Sequence, residues 1–164
     1  MAQTHVLFFQ SLKVKMKILL ASDHAGFELK NKLVNALKAQ NEAVDLGPFN
    51  NDSVDYPDYA DQVCKKLNTN EAEENLTEFG ILICGSAQGM AMRANKFSNI
   101  RAALVYSEES VKLSREHNNA NIICIGARFC DFETALRWIN LFKDTPFAQG
   151  RHQTRVAKVS KPTS

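Results

Sequence analysis

Five apolar runs of strand length recur along the chain: KILLAS (17 to 22), AVDLG (43 to 47), FGILICG (79 to 85), RAALVYS (101 to 107) and NIICIGA (121 to 127). Between them the apolar residues fall at helical spacing, as in Phe27, Leu29, Leu33, Val34 and Leu37, then Val63 and Leu67, then Val111 and Leu113. Strands that are apolar on both faces belong to a parallel sheet covered on both sides, and right-handed crossovers place helices on each face. The pattern therefore predicts an α/β fold: a doubly wound, Rossmann-like, three-layer αβα sandwich around a five-stranded parallel sheet. Two more helical patterns close the chain, one with Phe132, Ala135, Leu136, Ile139 and Phe142 on one face and one beginning near Gly150. The acidic stretch from Asn68 to Glu78 reads as a surface connection without chemistry. With no repeat, low-complexity tract or linker in view, one domain is expected over residues 16–160. Residues 1–15 are expected to form a loosely held N-terminal extension.

Composition narrows the partners. Lysine and arginine number 20 against 18 aspartate and glutamate, which lacks the basic excess of a nucleic-acid binder but leaves room for a small anionic ligand. The leading MAQTHVLFFQSLKVK has an apolar patch but neither a charged leading region nor a small-residue cleavage site, so no secretory signal is expected. No segment approaches the roughly 20 apolar residues of a membrane span. Cys64, Cys84, Cys124 and Cys130 form no CxxC pair and no zinc spacing; they read as reduced thiols of a cytoplasmic protein, and no metal is expected.

In an open parallel sheet, ligands bind beyond the carboxyl ends of the strands, where helix N-termini point unpaired N–H groups. The polar chemistry of this chain collects there. The first strand ends in Ser22-Asp23-His24-Ala25-Gly26, the third in Cys84-Gly85-Ser86-Ala87-Gln88-Gly89, and the fifth in Gly126-Ala127-Arg128. The turn after the third strand lacks the Gly-Lys-Ser/Thr ending of a phosphate-binding loop and the GxGxxG spacing of a dinucleotide site, so nucleotide binding loses support. Its small residues still allow N–H groups to converge on an oxyanion, and the same helix end is expected to lower the pKa of Cys84. Each residue also has a plainer reading. A cysteine ending an apolar strand serves packing more often than catalysis. Asp23 and His24 could cap a helix, His117 could complement a helix dipole, and Arg151 and Arg155 could be one solvated helical face.

Together, SDHAGFELK, DYPDYA, ILICGSAQGMAMRANK, SREHNNANIICIGAR and GRHQTRV stand in an order and spacing that resembles type B ribose-5-phosphate isomerase. That family also includes galactose-6-phosphate isomerase subunits, and the likeness runs from about Met16 to Val159. The resemblance implies interconversion of D-ribose 5-phosphate and D-ribulose 5-phosphate through an enediolate, a step of the pentose phosphate pathway that needs no cofactor. On this resemblance Cys84 moves the proton between C2 and C1, and Gly85, Ser86, Ala87, Gln88 and Gly89 form the anion-holding turn. The Ser86 hydroxyl assists at the oxygens, and His117 with Asp23 opens the sugar ring. Asn118 and Tyr56 hold sugar hydroxyls, while His24, Arg151 and Arg155 hold the phosphate. The resemblance further implies a homodimer with shared sites, in which His117, Asn118 and Arg128 come from the partner chain; a homotetramer is left open. Ala87 departs from the family's usual middle glycine, where a positive φ would strain it. Met90 stands where a second subgroup carries glutamate, which aligns this chain with the cysteine-dependent group. A six-carbon sugar phosphate, or a noncatalytic phosphosugar sensor on the same scaffold, are the competing readings.

Overall fold

The structure, a computed structural model, describes residues 15–68 and 76–161. The expected N-terminal extension, apart from Lys15, and most of the Asn68 to Glu78 connection lie outside the described residues. Five strands, β1 (Lys17–Ser22), β2 (Glu42–Asp45), β3 (Glu78–Cys84), β4 (Ala102–Val105) and β5 (Ile122–Gly126), form one parallel sheet in the order β2-β1-β3-β5-β4. Six helices accompany them: α1 (Phe27–Leu37), α2 (Tyr56–Lys66), α3 (Gln88–Ala94), α4 (Glu108–Asn118), α5 (Phe132–Asp144) and α6 (Arg151–Val159). The α/β doubly wound class predicted from the apolar pattern is the one observed.

Alternate residues of the strands feed two cores. Ile18, Leu20, Phe79, Ile81, Ile83, Ile123 and Ile125 meet the apolar faces of α1, α4 and α5 through Leu33, Val111, Trp138 and Phe142. On the other face, Leu19, Ala21, Leu82, Cys84, Ile122 and Cys124 meet α2 and α3 through Val63, Cys64, Met90 and Ala94. Each fully buried aliphatic side chain contributes about 1.5–3 kcal/mol relative to exposure, so a polar residue inside either set would be costly. The sixth helix stands apart, with no buried residue.

Three strands are shorter than the apolar runs suggested, the fifth by one residue at each end. The second ends at Asp45 because Gly47 turns the chain at φ 94°. The fourth begins after Arg101, whose N–H donates to Asn121 Oδ1 rather than to a neighbouring strand, and it ends where Tyr106 and Ser107 donate to Ser110 Oγ. Ser107 accepts in return from the Ser110 N–H, a reciprocal cap that starts α4.

The order places β1 beside β3, with the chain leaving β1 toward β2 and returning across it to β3. That reversal opens a crevice at their carboxyl ends. Ser22 pairs in register with Ile83, so Asp23 and Cys84 emerge side by side at its mouth.

Candidate active site

Asp23 is tied into the crevice from both sides. Its N–H donates to Ile83 O (3.0 Å), and its Oδ1 accepts from the Gly26 N–H (2.9 Å), which anchors the chain as it enters α1. Asp23 does not cap the first turn of α1, whose N-cap is Gly26 with no side-chain cap; its carboxylate instead holds the turn leading into the helix. Gly26 is required here, since a Cβ would fall 2.6 Å from Ile83 O. His24 is exposed at the rim, where its Nδ1 accepts from the Val54 N–H (3.4 Å) and ties down the loop leading to Tyr56.

Cys84 ends β3 with its thiol in the turn. The Ala87 N–H donates to Cys84 Sγ at 3.1 Å, and the backbone N–H groups of Ser86 and Met90 favour the ionised thiol as well. Gln88 N–H donates to Ser86 Oγ (3.4 Å). The donors of this turn thus gather around the thiol, the atom on which a negative charge forms when it ionises. Ala87 makes this possible from the left-handed region, at φ 65°, while completely buried. For a residue with a Cβ that conformation costs roughly 1–2 kcal/mol.

The expected lowering of the Cys84 pKa is not found. Burial pushes the thiol up, the Asp23 carboxylate adds to the rise, and the N–H donors of Ser86, Ala87 and Met90 pull it back only in part. The net direction is upward from the ordinary thiol value. A reading of the helix end alone omits the two larger effects, one of which comes from a different strand.

Around the turn, Gly89 packs against the Tyr56 ring so closely that a Cβ there would lie 2.6 Å from Tyr56 Oη. Gly85 is covered by Arg128: its O accepts from the Arg128 N–H (3.1 Å), and a Cβ would meet the guanidinium carbon at 3.0 Å. Asp23, His24, Tyr56, Cys84, Gly85, Ser86, Ala87, Gln88, Gly89 and Arg128 thus occupy one end of one chain. Arg128, expected from the partner chain, lies here against this chain's own turn. The cause is the pairing of Cys84 with Gly126, which brings the loop after β5 onto the loop after β3.

The remaining candidates lie elsewhere. The fourth helix leaves the carboxyl end of β4 and runs back before β5 begins, so its last residues, His117 and Asn118, stand at the amino ends of the strands. Eleven residues of helix cover about 16 Å. His117 and Cys84 are therefore at opposite ends of the sheet within one chain. Arg151 and Arg155 travel with His117: the Ala148 N–H donates to Glu116 O (3.0 Å), and the His117 ring lies parallel to that of His152, with centroids 4.3 Å apart and planes at 11°. His152 sits between the two arginines in GRHQTR, where the four-residue spacing of the arginines signals charge on one helical face but gives no sign of the imidazole's partner. Partial burial first, then the electrostatic effect of His117, Arg151 and Arg155, holds its pKa below the ordinary imidazole value.

Two buried arginines hold this end in shape. Arg115 donates from Nη1 to Asn119 Oδ1 (2.8 Å) and Ala120 O (2.6 Å) and from Nε to Thr145 O (3.1 Å). Arg101 Nε donates to Asn119 O (2.8 Å). They fix Asn119 in the left-handed conformation that ends α4 (φ 47°). Desolvation first, and then Arg101, push the Arg115 pKa down to about 10. Among the described residues no cluster of three or more His, Cys, Asp or Glu side chains could hold a metal, and no helix is long and apolar enough to cross a membrane.

Known proteins resemble this chain in sequence and fold. A Bacillus subtilis protein named only as a sugar phosphate isomerase is 40% identical over 147 residues, covering 88% of this chain and 95% of that one. The structure of ribose 5-phosphate isomerase B from Anaplasma phagocytophilum superposes with a TM-score of 0.81 at 43% identity, covering 89% of this chain and 97% of that one. A structure of ribose-5-phosphate isomerase B from Mycoplasma genitalium with bound ribulose-5-phosphate gives a TM-score of 0.77 at 39% identity, covering 88% and 94%. The model of the Ribose/Galactose Isomerase family matches residues 18–159, and the chain belongs to that family.

Proposed function

We propose that the protein interconverts D-ribose 5-phosphate and D-ribulose 5-phosphate through an enediolate, with Cys84 as the base, in the pentose phosphate pathway. The observation that carries this reading is the Cys84 thiol at the β1/β3 crevice, with backbone donors gathered on its sulfur and Asp23 beside it. The Mycoplasma genitalium relative with bound ribulose-5-phosphate supports the five-carbon substrate.

In the proposed reaction, His117 and Asp23 open the furanose by moving the anomeric hydroxyl proton to the ring oxygen. The Cys84 thiolate takes the proton from C2, leaving an enediolate, and the thiol returns a proton to C1. Ser86 carries the proton that must move between the C1 and C2 oxygens, so no atom or electron leaves the substrate. A raised thiol pKa suits this step in one respect and hinders it in another. It strengthens the thiolate toward a weakly acidic C–H, but each unit lowers the thiolate population about tenfold at neutral pH. Arg151, Arg155 and His24 anchor the phosphate, whose binding can be used at the reacting carbon.

Because His117, Asn118, Arg151 and Arg155 stand at the opposite end of the sheet from Cys84, the reading requires two chains per site. One supplies Asp23, His24, Tyr56, the turn from Cys84 to Gly89 and Arg128; its partner in a homodimer supplies His117, Asn118, Arg151 and Arg155. The test is turnover of ribose 5-phosphate by the pure protein beside its Cys84→Ala and His117→Ala variants. Each variant is expected to be inactive, and random mixing of the two is expected to restore about a quarter of wild-type activity, since half the dimers carry one intact site. A fully active Cys84→Ala protein would overturn the chemistry, and failure of the mixture would overturn the shared site. The Bacillus subtilis relative, named without a specific sugar, favours keeping a six-carbon sugar phosphate as the second reading; kcat/KM for both substrates separates the two.

A further inference from the structure

The His117 ring has an unusual neighbour. Among the described residues no hydrogen bond fixes it, yet the group sits in the last turn of a helix whose backbone is held firmly by Arg115. What lies on its face is His152, parallel at 4.3 Å and 11°. His152 occupies the first turn of α6, a helix that buries no side chain of its own. Beyond the stack, α6 and its approach are tied back by the Ala148 N–H to Glu116 O and by Arg101 Nη1 to Ser160 Oγ (3.3 Å). The stack is therefore an aromatic contact between a helix that carries the ring-opening group and a helix that carries two arginines.

We propose that His152 is a positioning residue for His117, holding that imidazole in one ring plane for proton transfer without touching the substrate itself. The proposal rests on the reading in which His117 opens the sugar ring. A half-buried imidazole has three staggered wells about χ1 and a broad two-fold torsion beyond it, so a free ring would spend only part of its time in the productive plane. Offset-stacked or parallel aromatic contact of this kind favours one arrangement. The charges around the pair come from Arg115 and Glu116 on α4 and from Arg151 and Arg155 on α6. Three of these four are positive, and desolvation first, then His117, Arg151 and Arg155, hold the His152 pKa below the ordinary imidazole value.

A second role is chemically open to His152: with Arg151 and Arg155 it could bind phosphate directly. The two roles separate in the kinetics. Loss of a phosphate ligand raises KM, whereas a mispositioned proton-transfer group lowers kcat.

The experiment compares His152→Ala, His152→Phe and His117→Ala in the full-length protein, with kcat and KM for ribose 5-phosphate and the melting temperature of each. His152→Ala is expected to lose between about three- and tenfold in kcat, with KM within twofold of wild type. His152→Phe, which keeps a flat ring but cannot bind a proton, is expected to recover most of that loss. A rise in KM at unchanged kcat, or a phenylalanine variant no better than alanine, would overturn the positioning role. A fully active His117→Ala protein would instead remove the ring-opening reading beneath it, and the proposal with it.

Discussion

The N–H of Ala87 donates to Cys84 Sγ at 3.1 Å from a backbone held at φ 65°, so the donor nearest the thiol is presented by a strained, completely buried alanine. Ala87→Gly would remove a strain of roughly 1–2 kcal/mol. It would also lose about 0.8 kcal/mol of methyl burial and gain backbone freedom in the unfolded chain worth about 0.5–1 kcal/mol. These nearly cancel, so urea denaturation is expected to show a change within about 0.5 kcal/mol. The same substitution at Ala60, buried inside α2, relieves no strain and is expected to cost about 2 kcal/mol. Equal losses at the two sites would show that Ala87 is not strained.

The rise in the Cys84 pKa makes a pH prediction with a definite sign. Only the thiolate reacts with iodoacetamide, so alkylation of Cys84 is expected to climb with pH to a midpoint above the ordinary thiol value. Asp23→Asn removes the second-largest cause of the rise and is expected to move that midpoint down. Peptide mass mapping distinguishes Cys84 from the buried Cys64, pushed up to about 12, and Cys124, pushed higher still. A midpoint indifferent to Asp23 would contradict the electrostatic contact.

Lys30 is wholly buried, with its Nζ donating to both carboxylate oxygens of Asp45 at 2.7 Å; Asp45 also accepts from the Gly47 N–H (2.9 Å). Removing one member of such a pair strands a charge, at about 3–5 kcal/mol when both are buried. The Asp45 side chain keeps some contact with water, 20% exposed against 0% for Lys30. Asp45→Asn is therefore expected to destabilise more than Lys30→Met, by about 3 kcal/mol against 1–2 kcal/mol. The double variant is expected to recover part of the Asp45→Asn loss in a denaturation cycle.

At Gly89 a methyl group would displace the end of the Tyr56 side chain rather than any backbone. Gly89→Ala is expected to raise KM about tenfold while leaving the melting temperature within a few degrees, since alanine also suits the helix it enters. In a Tyr56→Phe background the effect should shrink if the tyrosine hydroxyl is what the methyl displaces from the sugar. An undiminished effect would point to a distortion of α3.

The five strands and most helices were legible because burial on two faces leaves an uninterrupted apolar run, a signal that needs no knowledge of partners. The helix near Gly150 was legible for a related reason, since Arg151 begins it directly. Relationships set by strand order were not. That Arg128 covers Gly85 follows from the pairing of Cys84 with Gly126, and that His152 meets His117 follows from the return of the chain after α5. The misjudged direction of the Cys84 pKa has the same origin. The favourable helix end is local and visible in Gly85 to Gly89, while Asp23 arrives from 61 positions earlier along the chain. Ala87 is the opposite case, a departure at one position whose backbone consequence was expected and is present.

The run of α4 back along the sheet, which sets His117 and Cys84 at opposite ends, carries a consequence for dilute solutions. On the two-chain site, an isolated molecule holds two incompatible half-sites and does nothing with either. Turnover per molecule would then climb with protein concentration and level off once pairing is complete, so specific activity itself would serve as a titration of self-association.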